Sequence, residues 1–151
     1  MRNQKRNAFK LVGRSVLIKG QNVHEPYYSE QKTEFYTQLF KEGMLKNLMP
    51  YSLDKKGYAL IIPHDEGIQY YAGVISEKKI AGYESVEVPE QHYFVTEASR
   101  DKSRLLFDQL EDSYFTNGVY DQKEYSNGII LEVLLNGNPQ DAEVELWVPV
   151  K

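Results

Sequence analysis

The chain has 151 residues with a formal net charge of −4, and its 41% hydrophobic and 26% charged residues are typical of one globular domain spanning 1–151. The lack of cysteine excludes disulfides, thiolate metal sites and cysteine nucleophiles, and the lack of a long basic stripe argues against direct nucleic-acid binding. No apolar run is long enough to span a membrane and the N-terminus lacks a secretory signal, so we expect a cytoplasmic protein without a membrane partner.

The first half of the chain predicts a strand, a helix and a hairpin. Residues 8–19 have the composition of a strand, and Ser29 is a candidate N-cap for a helix from about 30 to 49, in which apolar residues recur at helical spacing. Residues 57–63 and 67–75 then predict two strands joined by the short turn HDEG. This half is therefore one βαββ unit.

The second half repeats the same order. A long strand is predicted at 83–98, interrupted by Pro89, and a helix follows from about 100 to 116. Residues 128–136 and 142–150 predict a second hairpin across the turn GNPQD. The order of elements thus matches that of the first half.

The two halves align at a spacing of about 71 residues, which brings Gly57 onto Gly128. An internal repeat of this kind is a fold-level signal, because one unit alone cannot bury its sheet face. We therefore expect an α+β fold of two βαββ repeats, about 8–76 and 83–150, with an antiparallel sheet, two main helices and a pseudo-twofold axis.

One residue breaks an otherwise aliphatic strand. The stretch NGIILEVLLNG, residues 127–137, is apolar between its turn signals except for Glu132. Because side chains alternate along a strand, Glu132 shares a face with Ile130 and Leu134, and the other face is apolar too. The first repeat carries Ile61 at the equivalent position, so the sheet itself does not require a charge. A carboxylate buried here is costly unless it is paired, hydrogen-bonded or neutralised.

Three explanations of Glu132 remain open at this point. The carboxylate pairs with an internal lysine or arginine, or lies near a sheet edge and reaches water, or is left free to meet a ligand. Burial would raise its pKa, and a cationic partner would lower it again. The neighbouring strand contains no Lys or Arg before Lys151, which weakens the case for a cross-strand ion pair.

Seven short segments follow one another in a recognisable order: KLVGRSVLI, YALIIP, YYAGV, VEVPEQHYFV, LLFDQLEDSYFTNG, ILEVLLN and ELWVPV. In this order they resemble the GyrI-like small-molecule-binding domain, which is also the effector-binding domain of several bacterial multidrug-sensing regulators. The resemblance covers about residues 8 to 150. It implies two βαββ units with a central ligand cleft near their junction.

The resemblance also implies roles for particular residues. Glu132 matches a glutamate that meets lipophilic cations among aromatic rings in the multidrug-sensing members. Trp147 and Tyr114 match aromatic positions on the last strand and in the second helix. The chain departs from the pattern at Leu134, where many members carry tyrosine.

The leading hypothesis is non-enzymatic binding of amphipathic, preferably cationic, small molecules. Glu132 would supply the counter-charge, and the rings of Trp147 and Tyr114 would add cation–π attraction. Tyr71 and Tyr36 are secondary candidates for the ligand site, and Tyr70 and Tyr71 face opposite ways, so at most one of them lines the cleft. No cofactor is implied, and the expected partner is the ligand, with a regulatory protein as a further candidate.

Two other classes of function stay in view. The first is a hydrolase of strained-ring or other xenobiotic compounds, an activity described for some stand-alone members of the resembling family, with Glu132 as general base and Trp147 or Tyr114 holding the substrate. The second is a module that only binds other proteins. A metal site is not expected, because the three histidines fall in separate segments.

Overall fold

A computed structural model describes all 151 residues and contains eight strands and three α-helices. The strands are β1 (Arg2–Arg6), β2 (Phe9–Lys19), β3 (Gly57–His64), β4 (Gly67–Ile75), β5 (Glu84–Val88), β6 (Gln91–Asp101), β7 (Ile130–Leu134) and β8 (Ala142–Pro149). The helices are α1 (Tyr28–Lys41), α2 (Met44–Leu48) and α3 (Ser103–Phe115), with 3-10 turns at Met49–Tyr51 and Gln122–Glu124. The predicted α+β class is confirmed.

The first predicted helix is divided in two. Gly43 adopts a left-handed conformation with φ of 73°, which a glycine tolerates without steric strain, and it separates α1 from α2. Ser29 is not the N-cap, because it lies inside α1 and its hydroxyl donates to Asp108 on α3. Tyr27 occupies the N-cap position without a side-chain hydrogen bond.

The eight strands form one antiparallel sheet in the order β1-β6-β8-β7-β3-β4-β2-β5. In a flat sheet β1 and β2 would lie about 29 Å apart. Only Asn7 and Ala8 join them, and such a link spans at most about 11 Å. The sheet therefore curls until its two ends meet.

The ends meet in a continuous two-stranded ribbon. Arg2 is opposite Val95 in the β1–β6 pair, Gly13 is opposite Glu84 in the β2–β5 pair, and both pairs keep the same register. The ribbon bends next to Pro89, where the predicted interruption separates β5 from β6. Strand β1 was not predicted, because its sequence RNQKR is polar and almost wholly exposed.

The curled sheet has an inner and an outer apolar face. The inner face buries side chains of strands alone, among them Leu60, Leu131 and Trp147. The outer face packs against the helices. Leu60 and Leu131, which the 71-residue spacing relates, are directly paired and mark the pseudo-twofold axis.

The repeat spacing is not constant along the chain. Phe9–Lys19 and Gln91–Asp101 are equivalent strands of equal length, separated by more than 71 residues. The difference arises because the connecting segments differ in length between the two halves. The spacing of 71 applies at β3 and β7, on the axis.

Candidate functional site: a buried charge cluster on Glu132

Glu132 lies in the middle of the sheet. It is opposite Ala59 of β3 on one side and Leu146 of β8 on the other, so both edges of its strand are hydrogen-bonded. Its side chain points to the outer face beneath α1 and α3, and the residue is 1% exposed. The explanation that Glu132 reaches water at a sheet edge is therefore wrong.

Two cations from the helices pair with this carboxylate. Lys32 of α1 places its Nζ 3.4 Å from Oε2, and Arg104 of α3 places a guanidinium nitrogen 3.3 Å from Oε1. Lys32 is itself 1% exposed. The expectation that Glu132 is free of an internal partner is wrong. The first explanation, an internal ion pair, is the one the structure contains, and its cations come from helices rather than from a neighbouring strand.

A second carboxylate shares Lys32. Glu111 of α3 is fully buried and accepts a hydrogen bond of 2.8 Å from the Lys32 ammonium through Oε1, whereas its Oε2 has no partner. Tyr70 of β4 donates to Glu132 Oε1 at 2.5 Å. Arg104 also pairs with Asp108 at 2.7 Å, which brings three acids and two bases into one cluster.

The two buried glutamates differ in pKa. Burial by itself would raise the pKa of Glu132, but the charges of Lys32 and Arg104 lower this pKa to about 2. Burial and the negative charge of Glu132 raise the pKa of Glu111 well above its ordinary value. Glu132 is therefore the more acidic of the two, and the negative charge of the pair is located on Glu132 as long as Glu111 keeps its proton.

This asymmetry predicts that Glu111→Gln stabilises the protein. The folded state holds a proton on Glu111 that the unfolded chain releases above its ordinary pKa, so stability falls as pH rises from that value towards the raised folded pKa. Glutamine mimics the protonated acid. We expect the free energy of unfolding of the variant to be about 1–2 kcal/mol higher than that of the unsubstituted chain at pH 7, and equal to it at pH 4.

Urea unfolding at both pH values measures this effect, with the exposed substitution Glu34→Gln as the matched control. A loss of stability at pH 7 in Glu111→Gln alone would mean that Glu111 is ionised and needed as a second counter-charge for Lys32.

Aromatic rings surround the same cations. The Lys32 Nζ lies 5.2 Å from the ring centroid of Tyr70, within the range of a cation–π contact. The rings of Phe35 and Tyr36 lie edge-on to Tyr70, with centroids 6.1 and 6.3 Å away. Burial, followed by the charge of Glu132, raises the pKa of both Tyr36 and Tyr70. The Lys32 ammonium thus lies between a carboxylate and an aromatic face.

The structure brings together only some of the predicted ligand residues. Tyr36 lies beside the Glu132 cluster, as described above. Trp147 does not: it is opposite Leu131 and points into the curled sheet, where it packs edge-on against Tyr93 at 5.5 Å. Since its neighbour Leu146 faces outwards beside Glu132, alternation forces Trp147 to the inner face. The prediction that Glu132 and Trp147 line one pocket is therefore wrong.

The other two tyrosines are also distant from the carboxylate. Tyr71 packs against the inner face and contacts Glu84 at 3.5 Å, so of the adjacent pair it is Tyr70 that reaches Glu132. Tyr114 is on the outer face, one helical turn beyond Glu111, and packs with Phe115. It belongs to a neighbouring aromatic group rather than to the charge cluster.

Sequence reasoning missed Lys32, Arg104 and Glu111, and of the adjacent tyrosines it preferred Tyr71 to Tyr70. A usable signal was present for two of them: Lys32 and Glu111 interrupt the buried stripes of α1 and α3 with opposite charges. An ion-pair partner for a strand carboxylate is therefore to be sought on the helices that cover it as well as on adjacent strands.

No three or more His, Asp or Glu side chains are grouped so as to hold a metal ion. The helices are likewise too short or too polar for any of them to cross a bilayer.

Solved structures with the same fold include one complex with a small molecule and a protein named for transcription regulation. SAV2435 bound to tetraphenylphosphonium superposes with a TM-score of 0.80 at 19% identity, over 99% of this chain and 93% of that one. A Staphylococcus aureus MU50 protein named for transcription regulation has a TM-score of 0.78 at 21% identity, over 99% and 97% of the two chains. The Vibrio cholerae integron cassette protein VCH_CASS2 has a TM-score of 0.61 at 14% identity, over 99% and 95%. These likenesses establish the fold.

No curated protein sequence matches the chain significantly. The family model named Cass2, integron-associated effector binding protein, matches residues 4–150. The match includes both repeats and the Glu132 cluster, and the resemblance to effector-binding domains noted in the sequence is confirmed. The chain belongs to the Cass2 family of integron-associated effector binding proteins.

Proposed function

We propose that the protein binds amphipathic organic cations at Glu132, and that the positive charge of the ligand takes the place of the Lys32 ammonium. One observation carries the proposal: the Lys32 Nζ lies 3.4 Å from a Glu132 oxygen and 5.2 Å from the Tyr70 ring centroid. A carboxylate and an aromatic face are the two contacts that such a ligand needs. The site thus already holds a cation, and it is one supplied by the chain.

Family membership supports the binding of a small effector. The complex of SAV2435 with tetraphenylphosphonium supports a lipophilic cation as the ligand class, because that protein shares the fold over nearly the whole chain. Neither assigns the residues of this chain. The assignment to Glu132 rests on its burial, its position near the axis and the nature of its neighbours.

The exchange of cations is physically reasonable. An ammonium is strongly hydrated, so Lys32 regains solvation when it returns to water. A delocalised lipophilic cation is poorly hydrated, and each ring face adds about 0.5–2 kcal/mol of cation–π attraction. Replacing one positive charge by another leaves the charge of the buried cluster unchanged. A neutral or anionic compound would instead leave Glu132 short of one partner.

Entry to the site requires α1 to move, because Glu132 is sealed in this structure. Only three of the 14 residues of α1 are buried, namely Tyr28, Lys32 and Leu39, and its N-terminus has no side-chain cap. Gly43 separates α1 from α2 in a conformation that L residues rarely adopt. We propose that α1 is the element that opens when Lys32 is displaced.

Thermal shift with matched ions tests the charge selection. We expect tetraphenylphosphonium to raise the Tm, since a ligand at a hundred times its Kd stabilises the native state by about 2.7 kcal/mol. Tetraphenylborate, of the same shape and opposite charge, and neutral triphenylphosphine oxide should give little or no shift. Glu132→Gln should lose the response to tetraphenylphosphonium, because the counter-charge is gone.

Equal shifts from the cation and the neutral compound would contradict the proposal. So would an undiminished response in Glu132→Gln. The exposed substitution Glu97→Gln serves as control for the change in net charge.

The hydrolase alternative loses its geometric support. A carboxylate with a pKa of about 2 is a weak general base near neutral pH. Trp147, one of the two residues expected to hold a substrate, lies on the opposite face of the sheet. Binding without turnover is the function that this arrangement supports best.

A further inference from the structure

A second candidate site lies apart from the Glu132 cluster and is open. A cleft of about 910 Å³ separates the outer face of β1 and β6 from the segment that follows α3. Volumes of this order are usual for small-molecule sites. None of Lys32, Arg104, Glu111 and Glu132 lines it.

Three rings in mutual contact form one wall of the cleft. Tyr120 is stacked on Tyr114 with centroids 5.8 Å apart, and Phe94 lies edge-on to Tyr120 at 5.0 Å. Tyr114 is 2% exposed, yet its hydroxyl makes no hydrogen bond within the chain. The hydroxyl oxygen itself keeps contact with solvent, so a molecule in the cleft can reach it.

Negative charge lies beside these rings. Burial, and then the carboxylates of Asp121 and Glu124, raise the pKa of Tyr114, and both carboxylates line the cleft. Glu124 has no ion-pair partner. Of the basic residues that line the cleft, Lys5 is paired with Glu90 at 2.8 Å, whereas His92 and Lys151 have no ion-pair partner. The ring wall therefore lies next to two acids and a free hydroxyl acceptor.

We propose that this cleft binds a flat aromatic cation, stacked on the Tyr120 ring and in contact with Phe94, with its charge between Asp121 and Glu124. The Tyr114 hydroxyl accepts a hydrogen bond from the bound molecule or donates one to it. The site is independent of the exchange at Glu132, since it needs neither the displacement of Lys32 nor the movement of α1.

Fluorescence titration with ethidium, a planar cation, tests the cleft. The Glu132→Gln chain removes any contribution from the buried cluster, and we expect it to bind one ethidium. Adding Tyr120→Ala should weaken this binding about tenfold or more, and Tyr120→Phe should restore it, because the ring face supplies the attraction. Adding Glu124→Gln should weaken it several-fold and reduce its dependence on salt.

The same comparison in the unsubstituted chain provides a second measurement, because Tyr120→Ala leaves every contact of Glu132 in place. Absence of ethidium binding in Glu132→Gln, with binding retained in the unsubstituted chain, would overturn the cleft and leave the Glu132 site standing. Binding unaffected by Tyr120→Ala in either background would also overturn it. Loss of the tetraphenylphosphonium response in Glu132→Gln together with retained ethidium binding would establish two separate sites.

Discussion

Glu132→Gln is expected to lower the free energy of unfolding at pH 7 by about 3 kcal/mol, because removing one partner of a buried ion pair leaves the others uncompensated. Lys32 and Arg104 both point at this carboxylate from within the protein. The same substitution at Glu111 should stabilise. Two buried glutamates that share one lysine are thus expected to respond in opposite directions to the same chemical change.

The pH dependence provides an independent check. The folded pKa of Glu132 is lowered to about 2, below its ordinary value of 4.5. The ionised Glu132 carboxylate therefore contributes fully to the free energy of unfolding above about pH 4.5. This contribution is lost as pH falls towards 2, by about 3 kcal/mol in total. Urea unfolding between pH 2 and 7 should show a steeper decline in the unsubstituted chain than in Glu132→Gln, in which other carboxyls with a lowered pKa, such as Glu25 and Glu90, still titrate.

Glu97→Gln, at an exposed position on β6, is the matched control and should change stability little. If Glu132 were unpaired, as one of the three explanations from the sequence holds, its removal would leave the fold intact or stabilise it. The ion pairs reverse that expectation. Unchanged or increased stability in Glu132→Gln would show that the helices do not hold their charges as described.

Lys32→Met is expected to weaken the fold and strengthen ligand binding. Removing the ammonium leaves the cluster one positive charge short, which should lower the free energy of unfolding by about 3 kcal/mol. A lipophilic cation would then restore the missing charge without having to displace a lysine. We expect the affinity for tetraphenylphosphonium to rise about tenfold or more.

Isothermal titration calorimetry of the variant and of Lys41→Met, an exposed lysine at the end of the same helix, separates this effect from a general loss of positive charge. Equal or weaker affinity in Lys32→Met would mean that the ligand does not use the position of the ammonium. If tetraphenylphosphonium also restored the lost stability of Lys32→Met, the ligand would be acting as the missing ion-pair partner.

Much of the architecture could be read from the sequence because it depends on local patterns. Alternation and turn residues located the long strands, and Pro89 marked the bend between β5 and β6. The 71-residue repeat placed Leu60 and Leu131 in equivalent positions, and they are paired in the sheet. Strand β1 was not predicted, because the exposed segment RNQKR has no alternation of apolar and polar residues that would indicate a strand.

The sequence by itself also determined that Glu132 lies inside an apolar strand, since its neighbours on both faces are aliphatic. Only the tertiary structure decided what the carboxylate meets there. Lys32 is 100 residues away along the chain and reaches Glu132 because two helices pack over one strand. Trp147 was predicted to share a pocket with Glu132, but the register of β8 against β7 decides which of its side chains face Glu132. That register places Leu146 rather than Trp147 beside Glu132. The spacing of residues along the sequence does not reveal long-range packing or strand register, and both are needed to define this site.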